Sequence, residues 1–153
     1  MSVLPMPLRV LDVGCGDGWL LDELVLRVPY AEVHAGVDPL AAVLATARQT
    51  ADLRVSLIRS AAEALPFDSA SFDLVVAVRS LAYWADPRAG CAELARVVSD
   101  HGKVVVVDRV NGRRGAGDIA ALLEAAGLEV ERVETLRRSP LLRPQIRAFI
   151  ASR

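Results

Sequence analysis

The chain has 153 residues, 53% hydrophobic and 24% charged, with a formal net charge of −1. That length suits one domain with a real core, and so small a charge gives no general attraction to nucleic acid. No apolar run is long enough to span a bilayer, and "MSVLPMPLRV" lacks a basic leader, so the expected compartment is a reducing cytoplasm that leaves Cys15 and Cys91 as thiols.

Leu8–Val13, "LRVLDV", reads as a buried strand that runs into glycines. "GWLLDELVLRV" has helical periodicity, with Trp19, Leu20, Leu24 and Val28 in register, and Pro29 ends it. "AEVHAGVD" is a second strand. In "DPLAAVLATARQT", Asp38 stands as N-cap and Pro39 at the first helical position. "RVSLIRS" and "SFDLVVAV" are the third and fourth strands. "DPRAGCAELARVVSD" repeats the helix start at Asp86-Pro87 and closes on the turn "SDHG", after which "KVVVVD" is the fifth strand. "GDIAALLEAAG" is a helix with Asp118 near its start and Gly127 past its end. "LEVERVETLRR" and "QIRAFIASR" alternate apolar with polar residues, as half-exposed edge strands do. Strands alternating with helices imply right-handed βαβ units and a parallel sheet covered on both faces. The last two strands imply an antiparallel hairpin. The fold class is α/β, doubly wound, with residues 1–153 as a single domain.

In such a sheet a ligand sits beyond the carboxyl ends of the strands, at the switch point. The loop Asp12–Gly18 belongs there. A dinucleotide fingerprint needs G-x-G-x-x-G/A; Gly14 and Gly16 fit, but the third place falls on Trp19 and the third glycine comes early, at Gly18. Asp12, ahead of the glycines, suits a ligand with a cationic group. Asp38, at the end of the second strand, suits both hydroxyls of a ribose. Together they describe an adenosine carrying an amino-acid tail, S-adenosylmethionine.

The stretch Asp12–Gly18, "DVGCGDG", resembles motif I of the class I S-adenosylmethionine-dependent methyltransferases. "GVDP" resembles that family's ribose motif, "AAEALPFDSASFDLVVAV" its adenine loop and fourth strand, and "ELARVVSDHGKVVVVD" its following helix, turn and fifth strand. "LLEAAGLEVERVE" resembles its closing helix and strand. The resemblance covers nearly the whole chain and is nearest to the small-molecule branch that includes quinone-biosynthesis enzymes. It implies a seven-stranded Rossmann-like sheet of order 3-2-1-4-5-7-6, with S-adenosyl-L-methionine as cofactor and S-adenosyl-L-homocysteine as product. The loop Gly14, Cys15, Gly16 and Gly18 would run under the methionine moiety, with Asp12 near its amino group. Asp38, Pro39 and Leu40 would meet the ribose and one adenine face. Ala62 would offer its N–H to the adenine, Leu65 would pack against the ring, and Val78 would close the site from the fourth strand. One departure stands out: the family often places an acid where this chain has Ala61, and Glu63 is the nearest carboxylate.

Methyl transfer asks the protein to align the nucleophile and exclude water. "AVRSLAYWADP" should face the methyl group, with Arg79, Ser80 and Tyr83 as catalytic candidates and Trp84 beside them. Arg79 could pair with an anionic acceptor and Tyr83 could orient a hydroxyl; the alternative is that Tyr83 and Trp84 pack the loop and Arg79 is solvated. His34 and His101 read as structural, Asp17 as a cap of the first helix, and Arg109, Arg113 and Arg114 as a solvated loop. No metal-ligand spacing occurs. The N-P-P-[FY] run of the family's amino-methylating nucleic-acid enzymes is missing, and Lys103 is the only lysine, so DNA is excluded and RNA becomes a minor reading.

Relatives commonly carry helices before motif I and an insertion after the fifth strand, both covering the acceptor. Here both are short, so the resemblance implies a minimal core. Three readings follow. The preferred one is an active methyltransferase on a small-molecule acceptor, its open site covered by a homodimer mate or a partner subunit. The others are a methyltransferase closed by a protein or RNA acceptor, and a non-catalytic cofactor-binding partner subunit. No membrane is involved in any of them.

Overall fold

The structure, a computed structural model, describes residues 8–110, 115–136 and 145–153. β1 (Arg9–Val13), β2 (Val33–Asp38) and β3 (Val55–Arg59) pair in parallel, with α1 (Trp19–Arg27) and α2 (Ala41–Thr50) in the crossovers. β4 (Phe72–Val78) lies parallel on the other flank of β1, and β5 (Val98–Val110) follows it after α3 (Pro87–Val97). After α4 (Ala116–Ala125), β7 (Gln145–Ser152) inserts antiparallel between β5 and β6 (Glu129–Leu136). The sheet order is β3-β2-β1-β4-β5-β7-β6, as the family resemblance implies.

Successive side chains of a strand leave opposite faces of the sheet. Leu11, Val13, Val75, Val104, Val106 and Phe149 pack with Leu94 and Val97 of α3 and Ile119 and Leu123 of α4. The other face meets α1 and α2, where Cys15, Leu21 and Leu44 form a smaller cluster. Gly36 sets how closely α1 approaches: a Cβ there would lie 2.5 Å from Leu21 Cδ1 and 2.9 Å from Cys15 Sγ.

Several local readings need correction. Asp86 caps α3 as expected, accepting from Arg88 N at 3.0 Å and Ala89 N at 3.2 Å. Asp38 does not cap α2; its Oδ1 closes a turn on Leu40 N while its Oδ2 holds Gly16 N, and the helix begins at Ala41 with Leu40 as N-cap. α1 buries Leu21 and Val25 while Trp19 is 58% exposed, so the packing stripe is centred one residue later than the Trp19–Leu20 register. β7 is no edge strand, since it pairs on both sides; its alternation reflects one buried face, and of these last two strands β6 alone is an edge. The "SDHG" turn is absorbed into β5 as a register shift, Phe72 pairing with Val98 and Leu74 with Lys103. Among the described residues no helix is long and apolar enough to cross a membrane.

Candidate active site

β1 is flanked by β2 and β4, so the chain leaves it at the point where strand order reverses, and loops from both sides meet there. The glycine loop is tied to the end of β2. Gly14 N and Cys15 N both donate to the Val37 carbonyl, at 2.8 and 2.9 Å, and Gly16 N donates to Asp38 Oδ2 at 3.1 Å. Gly14 and Gly16 have φ of +78° and +55°, a region that strains any side-chain-bearing residue. They differ in surroundings. A Cβ on Gly14 would lie 2.4 Å from Ser80 Cβ, whereas one on Gly16 meets nothing within 4 Å. Gly14 makes room for the protein; Gly16 leaves its backbone bare on a cavity.

That cavity, about 490 Å³, is a normal size for a small-molecule site. Its floor is Gly14 and Gly16. One wall is Asp38, Pro39 and Leu40 with Val43 of α2, a second is Ser60–Glu63, and the third is Arg79, Ser80, Tyr83 and Trp84. The Asp38 carboxylate is fixed by its two amide bonds, the second from Leu40 N to Oδ1 at 2.9 Å. A carboxylate oxygen has two lone pairs, so each retains capacity for a ligand hydroxyl. On the second wall Ala61 has no polar side chain to offer. Glu63, the nearest carboxylate, lines the cavity; its Oε1 accepts from Asp86 N at 3.0 Å and links this wall to the start of α3, which leaves Oε2 for a ligand.

Asp12 lies beneath the loop rather than on the cavity wall. It is only 2% exposed, and its Oδ1 is buried without a hydrogen-bond partner. Burial, then the nearby Asp38 charge, push its carboxyl up to about 7. An unpartnered buried carboxylate is costly unless positive charge arrives nearby. Bare glycine backbone, a fixed carboxylate on the wall and an unsatisfied one beneath fit a cofactor with a cationic tail and a diol.

On the third wall Arg79 departs from ordinary backbone, at φ +54°, and its N–H donates to the Val107 carbonyl at 2.6 Å. Left-handed geometry at a residue with a long side chain is a mark of functional loops. Ser80 is buried and donates to the Val13 carbonyl at 3.0 Å, which locks this segment onto the end of β1. Tyr83 is 88% exposed at the rim. Trp84 lies over Gly90, where a Cβ would come within 2.3 Å of the indole.

Other expected contacts fall elsewhere. Cys15 points into the core, and burial, with the Asp12 and Asp38 charges, pushes its thiol up to about 12, so it is no nucleophile. Gly18 is the left-handed N-cap of α1, at φ +84°; a Cβ there would meet Ala47 Cβ at 3.4 Å, an ordinary contact, so it is the backbone that calls for glycine. Trp19 follows it and points outward. Asp17 accepts from Trp19 N at 3.3 Å from one position ahead of that cap. Val78 and Leu65 do not line the cavity, and Leu65 is buried in the core. His34 is buried in β2, where burial lowers its pKa and keeps the ring neutral. His101 and Arg109 are exposed; Arg113 and Arg114 lie outside the described residues. Among the described residues no cluster could hold a metal ion. Val43 and Ser60 were missed, being small or apolar residues without a motif of their own.

A doubly wound sheet with this loop at its switch point defines a Rossmann-like cofactor-binding fold. The chain belongs to the methyltransferase domain family, which it matches over residues 11–106. It is 36% identical over 113 residues to the demethylmenaquinone methyltransferase of Thermus thermophilus, covering 72% of this chain and 51% of that one. The chain thus spans about half the length of the curated relatives it matches. Among solved structures, an S-adenosylmethionine-dependent methyltransferase from Mesorhizobium loti superposes with a TM-score of 0.82 at 21% identity, over 98% of this chain and 94% of the other. A chain from the complex of the Haloferax volcanii Trm112 methyltransferase activator with a methyltransferase gives 0.82 at 19% identity, over 97% and 86%.

Proposed function

We propose that this chain binds S-adenosyl-L-methionine and methylates an oxygen, nitrogen or carbon nucleophile of a small molecule, releasing S-adenosyl-L-homocysteine. The observation that carries the reading is the pair of carboxylates around the glycine loop: Asp38 held rigid on the cavity wall, Asp12 buried and unpartnered beneath it. When bound, the cofactor supplies an electrophilic methyl group on a cationic sulfur. Asp38 would hold the ribose hydroxyls, the Ala62 backbone the adenine, and Gly14 and Gly16 the methionine moiety, with Asp12 favouring its ammonium group. The protein's part in transfer is alignment and exclusion of water. Arg79 would meet an anionic group of the acceptor, and Tyr83 would orient its hydroxyl. Ser80 acts by position, since its hydroxyl is already given to Val13.

The match to a demethylmenaquinone methyltransferase favours an aromatic, quinol-like acceptor. We assign the reaction to a single domain in a reducing cytoplasm, consistent with two buried cysteines, neither of them in a disulfide. A panel of quinols, phenols, carboxylates and amines, scored for S-adenosyl-L-homocysteine release, tests the activity. Turnover of one member that Tyr83→Phe slows supports it; no turnover across the panel, despite cofactor binding, contradicts it. One observation favours a cover supplied from outside the described residues: Leu40 and Tyr83, on opposite walls, are 63% and 88% exposed. A second copy or a partner subunit would bury both, and a protein or RNA acceptor would do so on docking. If turnover fails on this panel and on protein and RNA acceptors while cofactor binding persists, the chain is a cofactor-binding partner subunit.

A further inference from the structure

The second cavity wall, Ser60–Glu63, continues into Ala64-Leu65-Pro66-Phe67, which has no strand or helix to hold it. Pro66 lacks an N–H, so this stretch cannot join a ladder, yet Leu65 is buried and its backbone groups need partners. Two side chains of α3 provide them. Glu93 Oε2 accepts from Leu65 N at 2.8 Å, while Arg96 donates from Nη2 to the Leu65 carbonyl at 3.1 Å and from Nη1 to the Phe67 carbonyl at 2.7 Å. The two side chains also fix each other, Arg96 Nε to Glu93 Oε1 at 2.7 Å and Nη2 to Oε2 at 2.9 Å. A further bond runs from Ala70 N to the Arg96 carbonyl at 2.8 Å.

An acid and a base three apart on a helix are usually a solvated pair of small value. This pair is different. Its side chains are only 33% and 18% exposed, and the guanidinium spreads its donors over two carbonyls as well as the carboxylate. The Arg96 hydrogen bond holds the Glu93 carboxyl below its usual range, so the acceptor stays ionised at neutral pH. At its other end the segment is pinned to β2, where Ser60 N donates to the Asp38 carbonyl at 3.1 Å. Between these two anchors lie Ala61, Ala62 and Glu63. The wall is also tied by Glu63 to Asp86 N and by Ser60 Oγ to the Ala61 and Ala64 carbonyls, so release of the Leu65 end loosens its far side rather than freeing it.

We propose that Glu93 and Arg96 are positioning residues for cofactor binding: from α3 they clamp the backbone on both sides of Pro66 and so set the wall formed by Ala61–Glu63. The proposal rests on the reading of the cavity as an S-adenosylmethionine site. Neither residue touches the cavity, so their effect reaches the ligand through the wall alone.

The test uses the full chain and S-adenosyl-L-homocysteine as probe, with calorimetry for affinity and hydrogen exchange for the Leu65 amide. Arg96→Met and the milder Glu93→Gln should both speed Leu65 exchange. Arg96→Met should weaken binding about tenfold, less than the full value of one charge-assisted bond, because only part of the loss reaches the ligand through the wall. Arg96→Lys keeps the charge without the fork and should fall between Met and wild type. Asp73→Asn is the control. It breaks a comparable ion pair with Arg9, between β1 and β4, and should lower the melting temperature while leaving the dissociation constant unchanged. Faster Leu65 exchange with unchanged affinity in Arg96→Met overturns the proposal and leaves the cofactor reading standing. Equal weakening in Asp73→Asn overturns it too, by reducing the effect to general stability. No binding by the wild type overturns the cofactor reading, and this proposal with it.

Discussion

The two halves of the cavity are built differently. On the β1–β2 side the polar groups are committed before a ligand arrives: three loop amides go to β2, and both Asp38 oxygens are held by backbone. On the β4 side Arg79 sits in left-handed backbone and Tyr83 stands almost wholly in solvent. A preorganised half recognises a ligand of fixed shape at little cost in ordering. The open half is completed only when an acceptor or a cover excludes water from it. The cofactor can therefore be inferred from the fold, whereas the acceptor is not encoded there with the same definition.

The sharpest way to break this contrast is at Asp38. Asp38→Ala removes the bond that holds Gly16 and the one to Leu40, together with the ribose acceptor, and cofactor affinity should fall by about a hundredfold or more in a calorimetric titration. Gly16→Arg should abolish binding by filling the floor, and a variant of either kind that binds normally would contradict the preorganised half. Next comes Gly14→Ala. Its methyl would overlap Ser80, so urea unfolding should show a loss of about 2–4 kcal/mol, while Gly16→Ala, which meets no atom, should cost about 1 kcal/mol from backbone strain. Equal losses would mean that the Ser80 contact is unimportant.

A subtler effect concerns pH. In the folded protein the Asp12 carboxyl titrates at about 7, against 3.8 for the free group. Between these values the folded state holds a proton that the unfolded chain has released. Stability from this group is thus fully present below pH ~4 and is lost as pH rises to ~7. Asp12→Asn should flatten that slope in thermal melts across the window. A slope unchanged by the substitution would place the titration elsewhere. Smallest of all, Tyr83→Phe should change S-adenosyl-L-homocysteine affinity by less than about twofold, since a rim hydroxyl contributes little to a ligand it does not enclose. A large loss of affinity would move Tyr83 into the preorganised half.

Why one half is legible in sequence and the other is not follows from how local each signal is. Strand and helix order can be read because buried parallel strands are continuous apolar runs and Asp-Pro marks a helix start. The same dipeptide also shows the limit. The Asp86 carboxylate serves the first turn of α3, whereas that of Asp38 is shared between Leu40 N and the glycine loop, and α2 begins later. Position in the sheet is equally non-local: β7 alternates like an edge strand yet pairs on both sides. Asp12, Gly14, Gly16 and Asp38 stand out because their chemistry is unusual for the places they occupy. Glu93 and Arg96 do not, since an opposite charge pair on a helix looks the same in solvent as when it grips a buried loop.

The most direct test of the central claim, that this cavity is preorganised for an adenosine ligand with a cationic tail, is titration of the full chain with S-adenosyl-L-homocysteine at pH 6, 7 and 8. Binding should be micromolar at pH 8 and weaken towards pH 6, by up to about tenfold per pH unit below 7 as Asp12 takes up its proton, with the trend lost in Asp12→Asn. Absence of binding at every pH would contradict the claim outright, and tight binding independent of pH would remove Asp12 from the site.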